Sequence, residues 1–115
     1  MSQLEIFFVV SLAIQLVHSV EELSTGFHEK WYLFKMPFWS FLLFEIFFSS
    51  FWILVLFTNL FPNRETLQTF FIFLMLTNGI QHAVWWLVVK KYVPGLITAP
   101  LHIILFLVYF VVILK

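Results

Sequence analysis

The chain has 115 residues, of which 63% are hydrophobic and only 10% charged, with a mean hydropathy of +1.03. A soluble domain this small has no interior large enough to hide that much apolar surface, so lipid is the expected solvent. Six basic and six acidic residues balance, which leaves no electrostatic footprint for nucleic acid. The absence of cysteine excludes disulfides, thiolate zinc sites and iron–sulfur clusters.

Four apolar runs follow one another: Leu4–Leu23, Phe38–Leu60, Leu67–Val89 and Leu96–Leu114. Each is close to the ~20 residues that cross a bilayer's hydrocarbon core. Only helices can span singly, because every backbone group must be satisfied within the segment. The expected fold is therefore all-α and polytopic, with four transmembrane helices in one compact bundle over residues 1–115. Ahead of the first run, residues 1–5 (MSQLE) carry no basic stretch, and no small-residue cleavage site follows it. The first run is thus expected to remain a helix rather than serve as a signal peptide.

Ser24-Thr25-Gly26 stops the first helix. Phe27 to Lys35 then places Trp31, Tyr32 and Phe34 among charges, the composition of an interfacial stretch with an aromatic anchor. Pro37 precedes the second helix, Phe61-Pro62-Asn63-Arg64 turns the chain into the third, and Tyr92-Val93-Pro94-Gly95 separates the third from the fourth. The first and third loops hold Lys30, Lys35, Lys90 and Lys91, against Arg64 and Lys115 on the other side. The positive-inside rule puts those loops in the cytoplasm and both termini outside a cell membrane.

The few polar residues inside these runs carry the chemistry. At a rise of about 1.5 Å per residue, His18, Glu45, His82 and His102 fall roughly 8–10 Å from the same end of their runs, one from each helix. Ionisable groups at such depth are costly and mark functional sites. His18 lies i,i+3 from Glu21 and i,i+4 from Glu22; Asn78–His82, Thr98–His102 and Glu45–Ser49 are also i,i+4 pairs. Helix bundles build metal sites from inward Glu and His at such offsets. Two acidic residues at a helix C-terminus oppose its dipole, so a metal ion or a basic side chain such as Lys90 or Lys91 is expected to compensate them.

Three strings occur in order: His18-Ser19-Val20-Glu21-Glu22, Asn78-Gly79-Ile80-Gln81-His82 and Tyr92-Val93-Pro94-Gly95-Leu96-Ile97-Thr98. They read HxxEE, NxxxH and YxPGxxT, and with the four apolar runs the chain resembles the HXXEE family of small bacterial and archaeal membrane proteins over nearly its whole length. That family is of unknown function. The resemblance implies a fold and a polar set, His18, Glu21, Glu22, Asn78, His82 and Thr98, but no reaction. His102 and Glu45 enter on depth alone.

The sequence thus nominates His18, Glu22, His82 and His102 as ligands of a divalent metal, zinc or iron. Glu21, Glu22 and His82 are the candidate catalytic groups, with Glu45, Asn78 and Thr98 in support. One reading is a membrane enzyme, either metal-dependent or using a His–Glu pair as acid and base on a lipid-soluble substrate. The alternatives are a metal or proton transporter or sensor, and an accessory subunit whose polar layer only joins helices. Thr98 has a simpler role as a helix cap before Ala99-Pro100, and His28, beside Glu29 and Lys30, is expected to be solvated. The bilayer and a lipid-soluble small molecule are the expected partners, without nucleic acid; nothing in the sequence fixes the oligomeric state.

Overall fold

The computed structural model describes residues 1–115 and is helical throughout, with no strand. Helix α1 spans Gln3–Thr25, α2 is a single turn at Phe27–Lys30, α3 spans Phe38–Phe57 and α4 spans Arg64–Val89. Helix α5 spans Ala99–Tyr109 and continues as a π-helical stretch, Phe110–Leu114. Helices α1, α3 and α4 are long and apolar enough to cross a membrane, and the last helix is shorter. The longest dimension, 38 Å, exceeds the ~30 Å of a hydrocarbon core.

The helix ends differ from the apolar runs for local reasons. α3 stops at Phe57 rather than Leu60, because the backbone turns extended at Thr58, whose hydroxyl takes the Leu54 carbonyl. α4 begins at Arg64 rather than Leu67, since Arg64, Glu65 and Thr66 are helical but too polar to register as part of a span. The fourth run loses its first residues: Pro94 to Thr98 form turns, with Leu96 N bonded to Val93 O and Ala99 N to Gly95 O. The α-helix starts at Ala99 with Pro100 in its first turn, where a missing N–H costs nothing.

The outer surface is apolar and the interior carries many polar groups. Only 26 of 115 residues are buried, and ten of these are polar or charged. Meanwhile Phe47, Phe57 and Val88 are more than 70% exposed. The buried face of α1 runs Phe8, Ser11, Leu12, Gln15, His18, Ser19, Glu22, a helical period followed largely by polar residues. An outward apolar surface with an inward polar stripe is consistent with membrane insertion.

Along the long axis the interior divides in two. At one end Glu5 meets Arg64 at 2.7 Å and accepts from Gln68, while Arg64 Nε donates to the Val55 carbonyl at the end of α3. Next comes an apolar plug of Phe8, Leu12, Trp52, Val55, Phe71 and Met75. The polar cluster lies beyond it, closed from the other side by Phe27, Phe41, Trp85 and Val93. α4 and α5 cross closely at Gly79, where a Cβ would come within 2.8 Å of the Ala99 carbonyl oxygen. α3 and α4 pack together beside their connection. Toward the α2 end they leave a groove of about 670 Å³ between them.

Candidate functional site

Three side chains converge at the centre of the polar half. His18 Nε2 lies 3.1 Å from His82 Nε2, and Glu22 Oε2 lies 3.4 Å from the first and 3.1 Å from the second. His18 and His82 are completely buried and Glu22 nearly so. The i,i+4 step brings His18 and Glu22 onto one face of α1, and α4 supplies His82 opposite.

The surrounding hydrogen bonds fix the protons. The Thr98 hydroxyl lies 2.7 Å from Glu21 Oε1, a carboxylate that can only accept, so Thr98 donates to it. Thr98 Oγ1 must then accept from His18 Nδ1–H at 2.6 Å. That leaves His18 Nε2 with a bare lone pair pointing at His82 and Glu22. His82 Nε2–H is the one proton available to share between them, and His82 Nδ1 is buried without a partner. Three electron pairs converge on a space that holds one proton.

Such a space suits a cation. The three ligand atoms can hold a metal ion. Donors around a tetrahedral zinc with bonds of about 2.0–2.1 Å stand roughly 3.3 Å apart, and the observed triangle is 3.1 to 3.4 Å on a side. Two imidazoles and one carboxylate, with further positions open, serve both catalytic zinc and non-haem iron. His18 also has the outer hydrogen bond that metal-bound imidazoles ordinarily have; His82 has none.

The other sequence candidates occupy neighbouring positions. His102, expected among the ligands, lies outside the group. Its ring centre is 5.4 Å from that of His18, and its Nε2 donates to Gln15 Oε1 at 3.2 Å. Depth alone did not fix its azimuth on α5. Glu21 points away from the three ligands, because adjacent residues on a helix diverge by about 100°. Its carboxylate accepts from Ile97 N at 3.0 Å, Thr98 N at 2.9 Å, the Thr98 hydroxyl and the Tyr92 phenol. The charge at the end of α1 is therefore balanced by backbone amides at the head of α5, not by Lys90 or Lys91, both of which are exposed. Burial and then the adjacent Glu21 carboxylate push the Tyr92 phenol above its ordinary value of 10.0. Thr98 sits at the N-cap position, yet its side chain caps nothing and joins Glu21 to His18 instead. His28 is half-buried, its ring edge-on to Phe38 at 5.3 Å.

Gly95 completes the site. Its φ is +92°, and a Cβ there would stand 2.5 Å from His82 Cε1 and 2.7 Å from His18 Cε1. Only glycine lets the turn adopt this conformation and lie flat against both imidazoles.

A second network runs alongside. Gln81 Nε2 donates to Asn78 Oδ1, Asn78 Nδ2 to Gln15 Oε1, Gln15 Nε2 to Ser19 Oγ, and Ser19 Oγ to Glu45 Oε2 at 2.5 Å. Every donor in this row points toward Glu45, whose other oxygen has no hydrogen-bond partner. Gln15 and Ser19 were not among the sequence candidates. The available signal was their spacing from His18 and Glu22 on one helical face.

The three sequence strings thus form one object. HxxEE contributes His18, Glu22 and Glu21, NxxxH contributes His82 and Asn78, and YxPGxxT contributes the turn that Glu21 holds against both histidines. A family model described as a protein of unknown function with HXXEE motif matches residues 9–110. The chain belongs to this HXXEE-motif family. No curated protein and no solved structure matches it.

Proposed function

We propose that the chain is an integral membrane enzyme whose His18, Glu22 and His82 hold a divalent metal ion, zinc or iron, and which acts on a lipid-soluble substrate. The observation that carries this reading is the triangle of two imidazole nitrogens and one carboxylate oxygen, electron-rich and pre-spaced for one ion. A metal ion bound there supplies Lewis acidity toward a substrate oxygen or water.

The chain's own residues do the rest. Thr98 and Glu21 hold His18 in the Nδ1–H tautomer, keeping Nε2 free to ligate. Gly95 sets the spacing of the two rings. Glu45, poised on Ser19 at the groove, is the group placed to take or return a proton from a molecule seated there. The apolar plug between the site and the Glu5–Arg64 end argues against a conduit. It suits a site that opens on one side only.

The test is elemental analysis of protein purified without a histidine tag. The expected result is one divalent ion per chain, lost in His18→Ala and His82→Ala while both variants still insert and survive detergent. A hydrogen bond in a membrane bundle contributes only about 0.6 kcal/mol on average, so losing one should not unfold it. Absence of metal from wild type, together with equal or higher thermal stability in His82→Leu, would overturn the proposal in favour of a packing layer.

A further inference from the structure

The groove between α3 and α4 has a composition that selects its occupant. Its walls are apolar and aromatic, with Phe44 and Phe48 from α3 facing Leu74 and Met75 from α4. α2 and the segment after it roof one end with Phe27 and Trp31. Phe44 and Thr77, on opposite rims, are both exposed, so the groove opens sideways, toward lipid if the bundle is inserted. Its volume of about 670 Å³ is that of a site for one drug-sized molecule.

Polar groups gather at the inner side, where Gln15, Asn78 and Gln81 supply amides and Glu22 and Glu45 supply carboxylates. No lysine or arginine lines the groove. An anionic head would meet two carboxylates in an apolar setting with nothing to neutralise it. Glu45 lines the groove with one oxygen taken by Ser19 and the other free of protein donors. Asn78, Gln15 and Ser19 direct protons along the row toward Glu45, so a donor on the occupant would complete its hydrogen bonding.

We infer that the groove between α3 and α4 takes a single lipid-soluble molecule entering sideways from the bilayer, whose polar end is a hydrogen-bond donor, a hydroxyl or an amino group, received by Glu45. The inference deepens the proposed function and rests on it for the reaction. A molecule seated this way presents its polar end beside Glu22 and hence beside the His18–His82 pair. Aromatic walls near a carboxylate favour the amine further through cation–π contact, and the two heads are separated in the test.

The probes are three long-chain photoreactive molecules of equal length, ending in a hydroxyl, an amine or a carboxylate, added to the full chain in lipid nanodiscs. Saturable labelling of residues 40–48 and 74–81 by the alcohol or the amine, displaced by its unlabelled analogue, is expected; the carboxylate should not label them saturably. The head that labels at lower concentration identifies the occupant's class. Glu45→Gln should weaken labelling at least tenfold, and Leu74→Trp, which fills the groove, should abolish it, with metal content unchanged in both. Equal saturable labelling by the carboxylate, or labelling spread evenly over the lipid-facing surface, overturns the inference. The metal reading fails separately. His82→Ala should lose the ion but keep the labelling, so a wild type without metal that still labels selectively leaves the groove assignment standing.

Discussion

Replacing Gly95 by alanine probes the most crowded point of the site. The new Cβ would lie 2.5 Å from His82 Cε1, 2.7 Å from His18 Cε1 and 3.0 Å from His82 Nδ1. The backbone there has φ +92°, where a side chain costs about 1–2 kcal/mol. Forcing a methyl into a filled interior costs about 1–3 kcal/mol more. With the neighbours shifting to make room, the loss is about 2–5 kcal/mol. One ring can move more easily than the other. His18 is held at Nδ1 by Thr98, and Thr98 by Glu21, whereas His82 Nδ1 has no partner. His82 should therefore rotate away. The stability loss then falls toward the lower end of that range, while the three-ligand group is destroyed. Thermal unfolding in detergent reads the first effect. Nitrogen chemical shifts of labelled histidines read the second, with His82 changing and His18 nearly constant. Wild-type stability together with unchanged shifts for both rings would refute the placement of Gly95 between them.

Glu21→Gln removes the charge that gathers four donors onto one carboxylate. It should cost about 1–3 kcal/mol and speed amide exchange at Ile97 and Thr98 more than elsewhere; unaltered exchange there would rule out a latch. The Tyr92 phenol has a raised pKa because burial and the Glu21 carboxylate both oppose its ionisation. The folded state thus holds this proton more tightly than the unfolded one, and the contribution is complete below pH 10 and lost as pH rises beyond it. Tyr92→Phe should flatten that alkaline decline, as measured by unfolding midpoints between pH 9 and about 11. Cysteines placed at Ser2 and Lys115 should react with an impermeant reagent from outside intact cells, as the lysine imbalance requires. Protection of both reverses the orientation.

How much of this was legible depended on what each physical signal measures. Hydropathy found all four helical runs, because each helix turns an apolar face outward whatever it packs against. It misplaced ends where backbone turns decided them, at Thr58 and in the Pro94–Thr98 turn, and where helical residues are polar, at Arg64. Depth brought His18 and His82 to one level, i,i+4 spacing put Glu22 on the face of His18, and the geometry shows the three in contact. The same reasoning could not exclude His102, because depth along a helix carries no information about azimuth. The compensation of Glu21 was invisible for another reason. The sequence displays side chains, and the groups that answer this carboxylate include two backbone amides exposed by a helix start. Gln15 escaped because a neutral amide in an apolar run is less conspicuous than a charge, though it accepts from both Asn78 and His102.

The division of labour within HxxEE explains why two adjacent glutamates are useful where one would bind an ion. Glu22 turns into the bundle and meets both histidines. Glu21, one step round the helix, leaves the bundle and fastens the turn that carries Gly95 and Thr98. His18 belongs to both halves, with Nδ1 committed to the turn through Thr98 and Nε2 committed to the centre. Loosening the turn therefore changes the proton position on His18 and the room beside His82 together. A layer that served only to join helices would need its hydrogen bonds satisfied, as the Gln81–Asn78–Gln15–Ser19–Glu45 row largely is. It would not need two imidazole nitrogens and a carboxylate oxygen gathered around a single proton, nor a second carboxylate at the wall of a groove. Glu22 touches both histidines and also lines the groove, so the proposed chemistry would fall between the histidine pair and the groove's occupant.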